Sequence, residues 1–206
     1  MPRMALLSLH RSYGFRRFKA WPLVAALASF AYLGVVNAQT VPEPEGYWTG
    51  PINGPVPATI EGGKVIDAET LSKMLDSEAL LLIDVSNTPK RPEGMAADAP
   101  WIPLAHEAIP GTIWIPDVGE GSIPTNLDEF FMAQLTDETG EDYDYPVVIY
   151  CHESCWLSWN AAKRAINHGF RNVHWFSQGI EGWKAAGLET EIVKPRMMPE
   201  LSQRNP

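Results

Sequence analysis

The stretch Tyr145-Pro-Val-Val-Ile-Tyr-Cys151-His152-Glu153-Ser154-Cys155-Trp156 decides the fold, and it holds both cysteines of the 206-residue chain. Its apolar, β-branched part predicts a buried strand that stops at the cysteine loop. After the loop, residues 157–169 show a helical pattern in which Trp159, Ala162 and Ile166 share one face, and Gly169 suits the helix end. The order strand, cysteine loop, helix brings the thiols near the positive end of a helix, which lowers a thiol pKa and favours the nucleophilic thiolate.

Residues 1–38 have the layout of a secretory signal peptide. Basic residues precede an apolar run from Ala20 to Val36, and the small residues Val36 and Ala38 predict cleavage before Gln39. The Pro-rich, polar sequence that follows argues against the alternative, an uncleaved membrane anchor. We therefore expect a periplasmic protein with no membrane attachment after cleavage. The pair Arg16-Arg17 leaves both general and twin-arginine export open.

The charge of the chain limits its partners. The formal net charge is −9, and signal cleavage would remove five basic and no acidic residues. Such acidity disfavours nucleic acid and anionic lipid and would steer association with a basic protein, although solubility alone also accounts for it. Outside the cytoplasm a thiol pair is oxidised, actively reduced, modified or metal-bound, and two cysteines are too few for a disulfide scaffold.

The rest of the chain divides into a Pro-rich extended arm at residues 39–63, one globular domain at residues 64–193 and a polar tail at residues 194–206. Strands alternate with helices in the domain, which predicts an α/β fold with a parallel sheet and helices on both faces. The predicted elements are a helix from an Asp67 cap through Leu75, a strand from Leu80 to Val85, a short strand after Gly111, a helix from an Asn126 cap through Leu135, the strand and helix around the cysteines, a strand from Asn172 to Phe176 and a helix from Ser177 to Trp183.

A long insertion at residues 86–108 contains four prolines and is predicted to lack regular structure. Trp101 and Ile102 favour a lid or a partner surface over a floppy insert. Ligand sites in parallel sheets lie at the carboxyl ends of the strands. We therefore expect Asp84, Trp101 and the cysteine loop to meet at one edge, with the insertion covering the thiols.

Four segments in a shared order resemble a rhodanese domain over roughly Val65 to Glu191. They are Leu82 to Val85, Ile109 to Pro116, Val147 to Cys151, and Gly169 to Val173 leading to Gly179 to Leu188. More narrowly, Cys155-Trp156 with Ser158-Trp159-Asn160-Ala161-Ala162 resembles the exported CXXCW motif proteins associated with catabolism dependent on pyrroloquinoline quinone (PQQ); here three residues separate the cysteines.

The rhodanese resemblance implies a five-stranded parallel sheet and a sulfurtransferase nucleophile at Cys151, carrying a persulfide in a cradle of loop amides. The narrower resemblance implies a periplasmic accessory to PQQ-dependent alcohol oxidation. Its partner would be a quinoprotein dehydrogenase or a cytochrome, and no cofactor of its own is expected.

The loop residues modify the chemistry that the resemblance implies. His152, Glu153 and Ser154 stand where guanidinium groups would suit an oxyanion, and Glu153 repels anions, so thiosulfate is a poor expected donor. A small sulfur donor or thiol is favoured instead. Cys155 could attack a persulfide or mixed disulfide on Cys151 and close an intramolecular disulfide, which makes it a resolving cysteine. Trp156 could close the site or meet a partner.

Several alternatives stay open. Cys151 and Cys155 could form a permanent structural disulfide, or the domain could be a non-catalytic binding module. The two cysteines could also bind Cu(I), with His152, His106 or His174 as the third ligand, whereas zinc would need a fourth ligand. A thioredoxin-like reductase also places paired cysteines at a helix start, but the segments quoted above favour the rhodanese fold.

Overall fold

The structure is a computed structural model that describes residues 41–96 and 98–199. The predicted signal peptide and the end of the predicted tail lie outside these residues. The elements in chain order are β1 (Lys64–Ile66), α1 (Ala68–Ser77), β2 (Leu81–Asp84), β3 (His106–Ala108), β4 (Ile113–Trp114), α2 (Thr125–Thr139), β5 (Val147–Tyr150), α3 (Trp156–Asn167), β6 (Val173–Phe176), α4 (Gly179–Ala185) and β7 (Glu191–Val193).

Five strands form one parallel sheet in the order β1-β6-β5-β2-β4. The central strand β5 pairs with β2 on one side and β6 on the other, so Ile149 lies between Ile83 and Trp175. All four residues of β5 are buried, as a strand covered on both faces requires. The predicted five-stranded parallel sheet is therefore confirmed.

Side chains of the sheet alternate between two cores, one on each face. Ile83 and Ile149 belong to the core that α2 and α3 cover, together with Phe131 and Trp159. The next residues along the strands point to the opposite core, which α1 and α4 cover and which includes Leu82, Val148, Leu71 and Trp183. The predicted helices on both faces are confirmed.

The helix starts were predicted with mixed success. Asp67 is the N-cap of α1, as predicted, and its carboxylate accepts a hydrogen bond from the Thr70 amide at 2.8 Å. The predicted Asn126 cap is wrong, because α2 already begins at Thr125 with Pro124 as its N-cap and no side-chain cap bond. The fixed φ of proline suits this position, so Asn126 lies inside the first turn. None of the helices in the described ranges has the length and hydropathy to cross a bilayer.

The insertion at residues 86–108 ends in regular structure that its prolines did not indicate. Residues 106–108 form β3, which pairs antiparallel with β7 in a separate two-stranded sheet. After β7 the chain runs along the edge strand β4, where Pro195 pairs with Trp114 and the Arg196 amide donates to the Trp114 carbonyl at 2.7 Å. The insertion and the segment after β7 therefore meet at the β4 edge of the main sheet.

Candidate functional site

The two thiols lie at the carboxyl end of β5. Cys151 directly follows the strand and is fully buried, while Cys155 is the N-cap of α3 and is 3% exposed. Between them Ser154 has a φ of 55°, the left-handed conformation that turns the loop back on itself. Both cysteines are free thiols. The strand, the turn and the helix thus bring the predicted thiol pair together.

Cys151 lies in an enclosed, mostly apolar setting. Its Sγ lies 3.1 Å from the Ser158 hydroxyl oxygen, which also accepts a hydrogen bond from the Trp175 indole at 3.0 Å. Burial raises the pKa of the Cys151 thiol well above its usual value, and Cys155 raises it further, while Ser158 opposes the rise. Cys151 is therefore held as a neutral thiol at neutral pH.

The pKa of the Cys155 thiol is shifted in the opposite direction. A hydrogen bond from the Cys151 thiol lowers the pKa of Cys155 to about 7, and although burial opposes this, the amides of Leu157 and His152 and the charge of His152 support it. The position at the start of α3 acts in the same direction, because the helix N-terminus favours a negative charge. The thiolate at neutral pH is thus that of Cys155, stabilised by the Cys151 thiol beside it.

A carboxylate from α4 holds the loop between the cysteines. Nδ1 of His152 lies 2.8 Å from Oε1 of Glu181, and the Glu153 amide donates to Oε2 at 2.8 Å. Burial raises the pKa of Glu181, but the hydrogen bonds from His152 and Glu153 outweigh it and leave this pKa below its usual value. Glu181 was not predicted as a site residue. Its only signal in the sequence is its place in the Gly179 to Trp183 run that resembles a rhodanese domain.

The Pro-rich arm covers the loop from outside. The Trp156 amide donates to the Ile52 carbonyl at 2.8 Å, and the Gly54 amide donates to the Ser154 carbonyl at 2.9 Å. Between these bonds Asn53 pairs with Cys155 as an antiparallel bridge. The arm therefore adds a short strand-like contact to the loop and encloses its second thiol.

A tryptophan stack anchors the arm. The rings of Trp48 and Trp156 lie 4.4 Å apart at an interplanar angle of 12°. The Asn160 amide group holds the Trp48 backbone on both sides, accepting from its N–H at 2.8 Å and donating to its carbonyl at 3.0 Å. Trp156 thus packs against the arm, and Asn160 holds the Trp48 backbone beside it; its predicted role in closing the site stays a prediction.

These contacts lower the number of loop amides that are free to bind a sulfur group on Cys151, as the rhodanese resemblance implies they would. The Glu153 amide is bound by Glu181 and the Trp156 amide by the arm. The His152 and Leu157 amides contribute to the lowered pKa of Cys155. At least two of the loop amides, those of Glu153 and Trp156, are therefore already bound within the protein.

The predicted meeting at one edge is observed only in part: Asp84 pairs with Tyr150, the residue before Cys151, but Trp101 lies on the β4 side. Asp84 is buried and accepts hydrogen bonds from the Ser86 amide and from Nε2 of His106, each at 2.8 Å. Trp101 lines a cavity with His106 and Trp114 on the β4 side, and that cavity has no residue of the cysteine loop in its walls. The insertion leads from β2 into the edge strand β4, so it folds over that edge. The prediction that it covers the thiols is wrong, because the arm takes that place.

The Cu(I) alternative gains no support from this part of the chain. Within residues 41–96 and 98–199, no group of three or more His, Cys, Asp or Glu side chains is arranged to hold a metal ion. His152 is paired with Glu181, and His106 with Asp84. His174 pairs with Asn172 through Nε2. None of these three histidines belongs to such a group with the two cysteines.

Trp48→Ala is expected to raise the alkylation rate of Cys155 by roughly three- to tenfold, because losing the stack on Trp156 weakens the arm by about 1 kcal/mol. The rate of iodoacetamide labelling at pH 7 measures this effect. Trp101→Ala is the matched control, since Trp101 lines the cavity on the β4 side, which includes no residue of the cysteine loop. Equal labelling rates in Trp48→Ala and the unmodified protein would show that the arm does not limit access.

Several solved structures are similar to this chain. Thiosulfate sulfurtransferase from Pseudomonas aeruginosa matches 66% of this chain at 20% identity with a TM-score of 0.45, and the match covers 21% of that protein. 3-Mercaptopyruvate sulfurtransferase from Leishmania major matches 68% of this chain at 18% identity with a TM-score of 0.43, covering 39% of that protein. The polysulfide-sulfur transferase homodimer from Wolinella succinogenes matches 63% at 18% identity with a TM-score of 0.40, covering 79%. This chain thus spans well under half of the first two proteins.

Among curated proteins no significant match to this chain is found. The family model for the rhodanese-like domain matches residues 67–186. That range runs from the N-cap of α1 to the C-cap of α4 and includes β5, the cysteine loop and α3. It covers more than half of the 206 residues. The chain belongs to the rhodanese-like domain family.

Proposed function

We propose that this rhodanese-like domain carries out sulfur chemistry through two cooperating thiols, with Cys155 attacking and Cys151 resolving. The observation that carries the proposal is the placement of the pair: Cys151 is a fully buried free thiol at the end of β5, whereas the free thiol of Cys155 is the N-cap of α3, where the helix N-terminus favours a thiolate. The pKa of Cys155, lowered to about 7, and the raised pKa of Cys151 agree with this order. A thiol with a pKa near the ambient pH is the best attacking group in thiol exchange. The rhodanese resemblance implies Cys151 as nucleophile, and the loop chemistry predicted Cys155 as its resolving partner, which is the reverse order.

The proposed donor is a small persulfide, R–S–SH. The Cys155 thiolate attacks its outer sulfur, forms Cys155–S–SH and releases R–S⁻, which takes up a proton. Cys151 then loses its proton and attacks the Cys155 sulfur. The Cys151–Cys155 disulfide forms and HS⁻ leaves, so one persulfide is reduced to a thiol and sulfide while two thiols are oxidised.

The charges around the loop support a donor without an oxyanion group. Glu181 lies beside His152 and Glu153, and its carboxylate and that of Glu153 place negative charge at the loop. The buried arginine of α3, Arg164, bonds to Val118 and Glu120 carbonyls and to Asp128, so it is committed elsewhere. A thiosulfate dianion would meet repulsion here, whereas a persulfide needs no guanidinium partner.

A trapping experiment tests the order of the two steps. In the Cys151→Ser variant, a small persulfide is expected to leave one added sulfur atom on Cys155, because the resolving thiol is absent. The unmodified protein is expected to lose two hydrogens and release sulfide. Intact-mass and peptide-mass spectrometry measure both results. If Cys155→Ser accumulates the added sulfur on Cys151 at the same rate, Cys151 is the entry nucleophile and the proposed order fails.

We also propose that the domain works in the periplasm, as an accessory to PQQ-dependent alcohol oxidation with a quinoprotein dehydrogenase or cytochrome as partner. The support is the signal-like sequence of residues 1–38, the net charge of −9 and the CXXCW-like motif at Cys155-Trp156. Protein from the periplasmic fraction is expected to begin at Gln39. An intact N-terminus in the cytoplasmic fraction would overturn this setting while leaving the thiol chemistry untouched.

A further inference from the structure

A cavity of about 360 Å³ opens on the β4 side of the domain, between the insertion and the segment that follows β7. Its walls are mostly apolar and aromatic: Trp101, Pro103, Leu104, Trp114 and Ile192 contribute to them. The volume lies within the range of small-molecule sites, about 300–1,000 Å³, near its lower end. The cavity thus has the size and lining for a compact apolar or aromatic molecule.

One polar group in this wall is held in a fixed orientation. The His106 ring stacks on Trp114 with centroids 3.8 Å apart and an interplanar angle of 17°. Its Nε2 is 2.8 Å from the Asp84 carboxylate, whose side chain is 1% exposed. The Trp114 indole donates to the Ser86 carbonyl at 2.6 Å, so the stacking partner is itself fixed. The imidazole is therefore preorganised before any ligand arrives.

The pairing with Asp84 sets what His106 offers to a ligand. Nε2 is engaged by the Asp84 carboxylate, so Nδ1 is the ring nitrogen left for a ligand. Within the described ranges no hydrogen bond reaches Nδ1. His106 thus offers an oriented hydrogen-bonding atom, which suits a hydroxyl group on the ligand.

A positive charge lies at the same cavity. Lys194 lines it, is exposed and takes part in none of the ion pairs within the described ranges. Two other cations of this region are already paired, Lys184 with Glu107 on β3 and Arg196 with Glu138 on α2. A carboxylate on the ligand would find its partner in Lys194.

We propose that this cavity binds a small aromatic molecule bearing a hydroxyl group and a carboxylate, with the ring against Trp101, the hydroxyl hydrogen-bonded to His106 and the carboxylate near Lys194. The site is separate from the thiol chemistry, because no wall residue belongs to the cysteine loop. The proposal concerns binding alone. Its failure would therefore leave the proposed function standing.

The probe is 4-hydroxybenzoate, titrated into the ¹⁵N-labelled full chain while the indole N–H signals of Trp101 and Trp114 are followed by NMR. Saturable shifts of both signals are expected. Trp101→Ala is expected to weaken binding by roughly tenfold through the loss of an aromatic wall. Ile102→Ala is the matched control, because this neighbour is 88% exposed and outside the cavity wall. The Ile102→Ala variant should bind 4-hydroxybenzoate as tightly as the unmodified protein does.

Two comparisons test the polar contacts without disturbing Asp84. Benzoate, which lacks the hydroxyl, is expected to bind roughly fivefold more weakly than 4-hydroxybenzoate to the unmodified protein. Lys194→Gln is expected to weaken 4-hydroxybenzoate but not phenol. The proposal is overturned if no shift saturates, if Trp101→Ala binds as tightly as Ile102→Ala, or if benzoate matches 4-hydroxybenzoate.

Discussion

Gly179→Ala is expected to lower the free energy of unfolding by about 3 kcal/mol. Gly179 begins α4 with a φ of 58°, and a Cβ there would lie 2.5 Å from the Cys151 carbonyl oxygen and 2.7 Å from the Glu153 amide nitrogen. These are backbone atoms of the cysteine loop, so the loop itself has to move. The hydrogen bond from the Ile180 amide to the Cys151 carbonyl, at 2.9 Å, would be strained by the same movement.

Urea unfolding measures this loss, and Gly187→Ala is the matched control. Gly187 also has a positive φ, 75°, but nothing lies within 4 Å of its added Cβ. This control should cost only about 1 kcal/mol, the price of the left-handed conformation alone. If the two variants lose the same free energy of unfolding, the cysteine loop can move away from α4 without cost. The close approach would then play no part in fixing the thiols.

The central elements were predictable because their signals are local. The β-branched run of β5 and the helical spacing of α3 each lie within one short stretch, and Cys151 and Cys155 sit at their junction. Joining a buried strand to a helix already constrains where both thiols lie. The tuning of the two pKa values was not predictable, because it depends on Ser158, Trp175 and the direction of individual amides.

The covering of the thiols could not be predicted, because it depends on contacts distant in sequence. The arm has no periodic pattern, and its contact with the loop consists of backbone bonds at Ile52 and Gly54. Backbone hydrogen bonds hardly depend on residue type, so the sequence does not reveal them. Asn160 holds the Trp48 backbone across 112 positions, and nothing in either residue alone indicates that pairing.

The insertion was misplaced for a different reason. The rule that ligand sites lie at the carboxyl ends of parallel strands correctly identified the edge where both Asp84 and Cys151 lie. It did not say that the chain after β2 passes to the sheet's edge strand β4, two positions from β5. Asp84 therefore pairs with His106 in the insertion, and Glu181 from α4 takes the position beside the cysteine loop.

Cys155→Ala is expected to reduce iodoacetamide labelling at pH 7 by at least tenfold. The remaining thiol, Cys151, is fully buried and its pKa is raised, so little thiolate is present at this pH. Cys151→Ala is expected to behave differently. Cys155 keeps the Leu157 and His152 amides but loses the thiol hydrogen bond that most lowers its pKa, so the midpoint of the pH–rate profile should rise from about 7.

The pH dependence of labelling, followed by mass spectrometry between pH 5 and pH 10, distinguishes the roles of the two thiols. Labelling of both variants in urea is the control, because unfolded cysteines share an ordinary pKa of about 8.5 and should react alike. If Cys155→Ala instead keeps the original rate and Cys151→Ala loses it, Cys151 is the thiolate. The hydrogen bond between the two sulfurs would then run from Cys155 to Cys151, and the chemistry would follow the order that the rhodanese resemblance implied.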